Sequence, residues 1–241
     1  MEKIKRAIEF YENLEKGVLK NWTQKDIENH CRPFDKAIEL EWNETKSFSV
    51  YRSKEYFYNL IFSYMYISKN HIESVLKWFA ENDINISEKI AYDYYNGIGL
   101  TTIDLAKSFK KVIAFNDCKN QIDLCDKLFR EYNLSYEKDI KKINKDCDVF
   151  FSLQEIEHYF NPIDRIKEIL EEANNAEFLV LSHGFTNDRY CGHYTYYNVN
   201  NDLVHYTQVF GYIEQEILKR SYRLVFCNDR GKIRIYRKDA E

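Results

Sequence analysis

After Ser87 the chain alternates between short apolar runs and amphipathic stretches, and few folds accept that pattern. Lys89 to Tyr94, Lys111 to Phe115, Cys147 to Leu153 and Ala176 to Ser182 read as strands. Between them, Thr101 to Lys110, Lys119 to Tyr132 and Asn161 to Ala173 carry helical periodicity. Strands separated by single helices predict a parallel, doubly wound α/β sheet, and the right-handed crossover rule places helices on both faces. The ending departs from the pattern. Val204 to Lys219 reads as a helix, then Tyr222 to Cys227 and Lys232 to Arg237 flank the turn at Asn228 to Gly231 and read as an antiparallel hairpin.

Before Asn85 the periodicity is helical throughout. Ile4, Ala7, Ile8, Tyr11, Leu14 and Val18 form one stripe. A second helix is predicted from about Thr23, a third over Ser53 to Ser68 and a fourth over His71 to Asn82, with Phe48 to Arg52 as a short extended stretch. The chain of 241 residues therefore divides into a helical region, 1–86, and an α/β domain, 87–241.

Composition then removes several classes of function. With 35 Lys and Arg against 39 Asp and Glu the net charge is −4, which argues against a protein that grips nucleic acid through its phosphates. The six cysteines are scattered without a C-x-x-C pair, and no two histidines stand at metal spacing. The expectation is a reduced chain in the cytoplasm, without a bound metal. No apolar run approaches the ~20 residues of a membrane span.

Only seven glycines occur, so a pair two residues apart is informative. Asp93-Tyr94-Tyr95-Asn96-Gly97-Ile98-Gly99 joins a strand to a helix, where glycine lets backbone approach a ligand. Asn116 and Asp117 end the following strand, 17 and 18 residues after Gly99, where a ribose diol is commonly gripped. The run Asp148-Val-Phe-Phe-Ser-Leu-Gln-Glu-Ile-Glu-His158 follows, with Pro162 four residues on.

In order and spacing, these three segments resemble class I S-adenosylmethionine-dependent methyltransferases, over roughly Ser87 to Lys238. The resemblance implies a mostly parallel seven-stranded sheet ending in an antiparallel hairpin, with S-adenosylmethionine as cofactor. It assigns Gly97 and Gly99 to the amino-acid portion, with Asp93 ordering their loop, Asn116 or Asp117 to the ribose, and Asp139, at the presumed end of the third strand, to the adenine side. Two residues depart from the family's D-x-G-x-G-x-G pattern and ribose acid: Tyr95 replaces the first glycine, and the ribose position falls on Asn116. A catalytically silent binding module with the same fold is therefore a second reading. A methyltransferase acting on protein or nucleic acid is a third. The N/D-P-P-Y/F segment of DNA amino-methylating enzymes and a Pro-Cys nucleophile are both missing from the sequence.

Methyl transfer from a sulfonium to a hydroxyl needs alignment and removal of a proton. Two histidines compete for the proton. His158 stands just past the fourth strand of the family's order, and His193 lies in the loop after the fifth, with Asp188 as its orienting partner or a substrate contact. That loop, Ser182 to Tyr194, holds two of the seven glycines and two of the six histidines. Its polar groups interleaved with aromatics suit a sugar-like acceptor, with His183, Arg189 and Tyr194 as contacts. The helical region is expected to cover the cleft as a lid, Tyr51 and Arg52 facing the acceptor, Arg52 suited to a phosphate on an activated sugar.

Overall fold

The computed structural model describes residues 1–47, 50–51, 53–134, 147–185, 193–228 and 232–239. Eight strands are described: β1 (Ile90–Tyr94), β2 (Lys111–Phe115), β3 (Val149–Leu153), β4 (Phe178–Ser182), β5 (Tyr196–Val199), β6 (Asp202–His205), β7 (Tyr222–Cys227) and β8 (Ile233–Lys238). The main sheet has the order β2-β1-β3-β4-β8-β7. β1 to β4 pair in parallel and β8 runs antiparallel to both of its neighbours. Strand order reverses between β1 and β3, and open α/β sheets bind ligands outside the carboxyl ends of the strands at such a point. Six strands are described where seven were expected. The stretch that would hold the remaining strand, about Ser135, lies outside the described residues.

The strands bury both faces because their alternate residues point into different helical layers. Tyr92, Tyr94, Phe150 and Leu179 pack under α7 (Pro162–Glu172) and α8 (Tyr206–Leu218). Ala91, Val112, Val149, Phe151 and Val180 pack against Ile72, Val75 and Phe79 of α4 (Lys69–Glu81). α1 (Glu2–Tyr11) lies along α6 (Lys119–Glu131), where Ile4, Ala7 and Ile8 meet Leu124, Leu128 and Phe129. The apolar stripes of the first 86 residues thus enter the same clusters as the sheet.

Several predicted boundaries move, each for a local reason. α1 stops at Tyr11 because Asn13 turns left-handed (φ 56°) and the Leu14 N–H returns to the Glu9 carbonyl, closing the helix end. Leu14 and Val18 of the predicted stripe are consequently exposed. The predicted second helix is α2 (Gln24–Thr45), started by a capping box between Thr23 and Asp26. The predicted third and fourth helices are continuous: α3 (Lys54–Ser63) passes through a π-helical turn, Tyr64–Ser68, into α4. Val50 and Tyr51 form a helical turn rather than an extended stretch. The helix after the glycine loop, α5 (Leu100–Leu105), is shorter than the sequence predicts.

The largest correction is the hairpin β5–β6. Val204, read as the start of a helix, lies in β6, and α8 begins at Tyr206. A two-residue turn joins the strands, Asn200 (φ 52°) and Asn201 (φ 75°), both left-handed as a type I′ turn demands.

Candidate active site

The strand-to-helix turns at the carboxyl ends of β1 to β4 open into a cleft of about 1210 Å³. Its walls include Gly97, Asp117, Glu157 and His193 from the sheet side and Tyr51 and Leu60 from the helical region. α3 thereby forms one wall of the cleft.

At the first turn, Tyr95 takes φ 55°, the left-handed region where a side chain costs about 1–2 kcal/mol. The backbone therefore keeps a glycine-like shape without the glycine. Tyr95 is anchored twice: its hydroxyl donates to Asp117 Oδ2 at 2.8 Å, and the Arg165 guanidinium lies 4.7 Å from its ring centroid. Gly97 (φ 55°) lines the cleft, and a Cβ there would meet only Leu60, at 3.6 Å. Gly99 has a different task. A Cβ on it would stand 2.6 Å from the Phe129 ring, so its bareness lets α6 close against α5. Of this pair, Gly97 is the one that lines the cleft.

The strand-tip residues Asn116 and Asp117 both line the cleft but differ in exposure. Asn116 is 2% exposed, and its amide donates to the Gly97 carbonyl (2.8 Å) and to Gln121 Oε1 (2.7 Å), while its Oδ1 accepts the Cys118 N–H. It ties the glycine loop to the start of α6. Asp117 is exposed on the cleft wall. Asp139 lies outside the described residues.

Asp93, 1% exposed, accepts hydrogen bonds from Thr101 Oγ1 (2.8 Å) and Thr102 Oγ1 (2.7 Å) and so fixes the first turn of α5 to β1. Burial raises its carboxyl to about 6, against the pull of the two threonines. The folded chain therefore holds a proton that the unfolded chain has lost between about pH 4 and pH 6. Stability must fall as pH rises through that window, by about 3 kcal/mol at 1.36 kcal/mol per pH unit. Asp93→Asn is expected to be more stable than wild type in urea melts at pH 7.5, with the difference closing towards pH 4. An Asn variant less stable than wild type at pH 7.5 would show that the charged form is favoured instead.

Past β3 the chain turns through Gln154 (φ 55°) and buries two carboxylates. Glu155 pairs with Arg165 Nε at 2.7 Å, and that guanidinium also lies within about 5 Å of the Tyr94, Tyr95 and Tyr159 ring centroids. Glu157 is wholly buried: Oε1 accepts the Gly184 N–H at 2.7 Å, and Oε2 has no hydrogen-bond partner among the described residues. Burial pushes its carboxyl up to about 8.

The two competing histidines are neighbours, with ring centroids 5.0 Å apart and planes nearly perpendicular. Tyr51 Oη and His158 Nδ1 are 2.9 Å apart. His193 is 9% exposed, and burial, then the neighbouring His158, lowers it to about 2, so it is a neutral imidazole. Glu157, His158 and His193 bring one ligand atom each to within 4.8 Å of one another. Linear spacing did not reveal this cluster, because 35 residues and a whole βα unit separate His158 from His193. The signal was topological: both follow adjacent parallel strands, so both loops open on the same edge.

Two predicted acceptor contacts lie elsewhere. His183 stacks on Phe210 with centroids 4.0 Å apart and is not among the cleft-lining residues. Tyr194 packs edge-on against Trp42 of α2 and Tyr197 of β5, joining the helical region to the hairpin. Arg52, Asp188 and Arg189 lie outside the described residues. Lys232, the residue before β8, also lines the cleft. The five described cysteines are free. Among the described residues no helix is long and apolar enough to cross a membrane.

No protein-family model matches the chain, and no curated protein matches it by sequence. Solved structures do resemble it. Magnesium protoporphyrin IX methyltransferase from Synechocystis PCC 6803 with bound S-adenosylhomocysteine aligns at TM-score 0.54 and 14% identity, over 70% of this chain and 82% of that one. The same enzyme with bound S-adenosylmethionine aligns at 0.53 and 15%, over 86% and 97%. An S-adenosylmethionine-dependent methyltransferase from Clostridium acetobutylicum ATCC 824 aligns at 0.54 and 11%, over 79% and 99%. Together with the strand order and its single antiparallel strand, these likenesses show that the chain has the class I S-adenosylmethionine-dependent methyltransferase fold.

Proposed function

We propose that the chain transfers the methyl group of S-adenosylmethionine to an oxygen of a small polar acceptor, sugars and nucleotide sugars first. The observation that carries this reading is a single cleft with a glycine-floored end and a proton-handling end. Gly97 and the exposed Asp117 carboxylate lie at one, and Glu157, His158 and His193 at the other. Its volume of about 1210 Å³ exceeds the usual range for one small ligand, about 300–1,000 Å³, and leaves room for cofactor and acceptor together.

The residues present fit the cofactor. The space that a Cβ on Gly97 would fill adjoins Leu60 on the opposite wall, and Asp117 supplies two acceptor oxygens suited to a diol. The substitution at Asn116 is offset by Asp117, and Tyr95 keeps the positive φ of the glycine it replaces. Both points support an active rather than a silent chain. When bound, S-adenosylmethionine supplies an activated methyl on sulfur. The protein's share is then positional. Asp93, through Thr101 and Thr102, and Asn116, through the Gly97 carbonyl, hold the loop in shape. The wall formed by Tyr51 and α3 serves as a lid that excludes water, and the histidine–carboxylate cluster takes or directs the hydroxyl proton.

Purified protein with S-adenosylmethionine and a panel of sugars, nucleotide sugars, amines, peptides and RNA tests the acceptor class. Release of S-adenosylhomocysteine is expected with at least one hydroxylated small molecule. Release only with an amine, a peptide or RNA would overturn the oxygen and small-acceptor parts.

A further inference from the structure

We propose that Glu157, His158 and His193 bind a divalent transition cation of the zinc and cobalt type, which activates the acceptor hydroxyl. The activating role rests on the function proposed above; the binding site itself does not.

The geometry starts from the carboxylate. Glu157 is fully buried, with one oxygen held by the Gly184 N–H and the other without a hydrogen-bond partner among the described residues. A buried acceptor left in this way carries a desolvation penalty, and a cation is one group that would relieve it. The three candidate ligand atoms lie within 4.8 Å of one another. A tetrahedral ion with ligands at 2.0–2.1 Å needs them about 3.4 Å apart, so modest side-chain rotations complete the shell. Tyr51 holds His158 through Nδ1, the way metal-bound imidazoles are oriented through the nitrogen that does not bind.

Two imidazoles and one carboxylate favour a zinc- or cobalt-type ion over the oxygen-preferring magnesium, calcium and manganese. Three protein ligands leave a fourth position open to the cleft, as catalytic sites do. Lys232 shares that wall and its charge opposes a cation, but the side chain is exposed and its flexible stem can turn to water. Bound to the ion, the acceptor hydroxyl loses its proton to solvent. Its oxygen forms a bond to the methyl carbon, the carbon–sulfur bond breaks, and the electron pair stays on sulfur as a neutral thioether. One proton is released per transfer.

The test uses the whole protein, stripped with chelator, then titrated with Co²⁺ by visible absorption and with Zn²⁺ by calorimetry, without cofactor. One ion per chain is expected. Glu157→Gln and His193→Ala should abolish saturation, and Tyr51→Phe, which keeps the ring, should weaken it about 10-fold. S-adenosylhomocysteine binding, measured on the same samples, reports whether each variant is folded. No ion bound by wild type, or equal binding by the folded Glu157→Gln and His193→Ala variants, would overturn the site. Metal binding without cofactor binding would sink the methyl-transfer reading and leave the site standing. Turnover indifferent to chelator would overturn the activating role and leave the methyl-transfer reading standing.

Discussion

Arg165→Ala is expected to destabilise the protein by about 3–5 kcal/mol, the typical result of removing one partner from a buried ion pair. Arg165 and Glu155 are each 7% exposed at the side chain, so deleting the guanidinium strands a carboxylate in a dry interior. The same deletion removes the cation shared by Tyr94, Tyr95 and Tyr159, and such contacts add about 0.5–2 kcal/mol when desolvated. Replacing both partners, Glu155→Leu with Arg165→Met, should recover most of the loss, because a well-packed apolar pair often equals a buried ionic one. Denaturant melts of the two single variants and the double one decide it. A single variant within 1 kcal/mol of wild type would mean that Glu155 finds another partner or takes up a proton. Arg165 also reaches the site, since it holds the strained Tyr95 whose hydroxyl meets Asp117.

His193→Ala is expected to cut turnover by about 10²–10⁴-fold, the usual contribution of the groups that handle the acceptor proton, because it breaks the Glu157–His158–His193 cluster, while leaving cofactor affinity nearly intact. The distinction follows from where His193 sits: against Gly184 and His158, with Gly97 and Asp117 on other turns of the cleft. His158→Ala is expected to lower both turnover and cofactor affinity, since His158 joins β3's turn to Tyr51 on the helical wall. Steady-state kinetics at saturating acceptor, paired with calorimetry, separates the two. Full turnover by the His193 variant would reduce that loop to a recognition element.

Much of this architecture is legible in the chain because apolar strands and amphipathic helices need no partner to announce themselves. Phe178–Ser182 and Lys111–Phe115 are read almost to the residue. The hairpin β5–β6 is missed for the opposite reason. Its strands are four residues each, and its turn uses Asn200-Asn201 rather than the stronger Asn-Gly signal. The site divides along the same line. Which turns gather at the cleft follows from strand order, but which side chain of each turn faces it depends on register. Asn116 and Asp117 are adjacent, and only the fold turns one into the loop and leaves the other exposed. Gly97 and Gly99 look equivalent until Phe129 is seen against the second. His158 and His193 read as rivals and prove to be neighbours.

If this cleft holds S-adenosylmethionine through the Gly97 loop and Asp117, changing Gly97 must abolish cofactor binding. Calorimetric titration of the purified protein with S-adenosylhomocysteine tests it most directly, with Gly97→Val as the control. One binding event per chain is expected for wild type. For a Gly97→Val protein with an unchanged circular dichroism spectrum none is expected, because the valine side chain fills the approach to the loop. No heat from wild type at millimolar ligand, or binding unaltered by Gly97→Val, would contradict it.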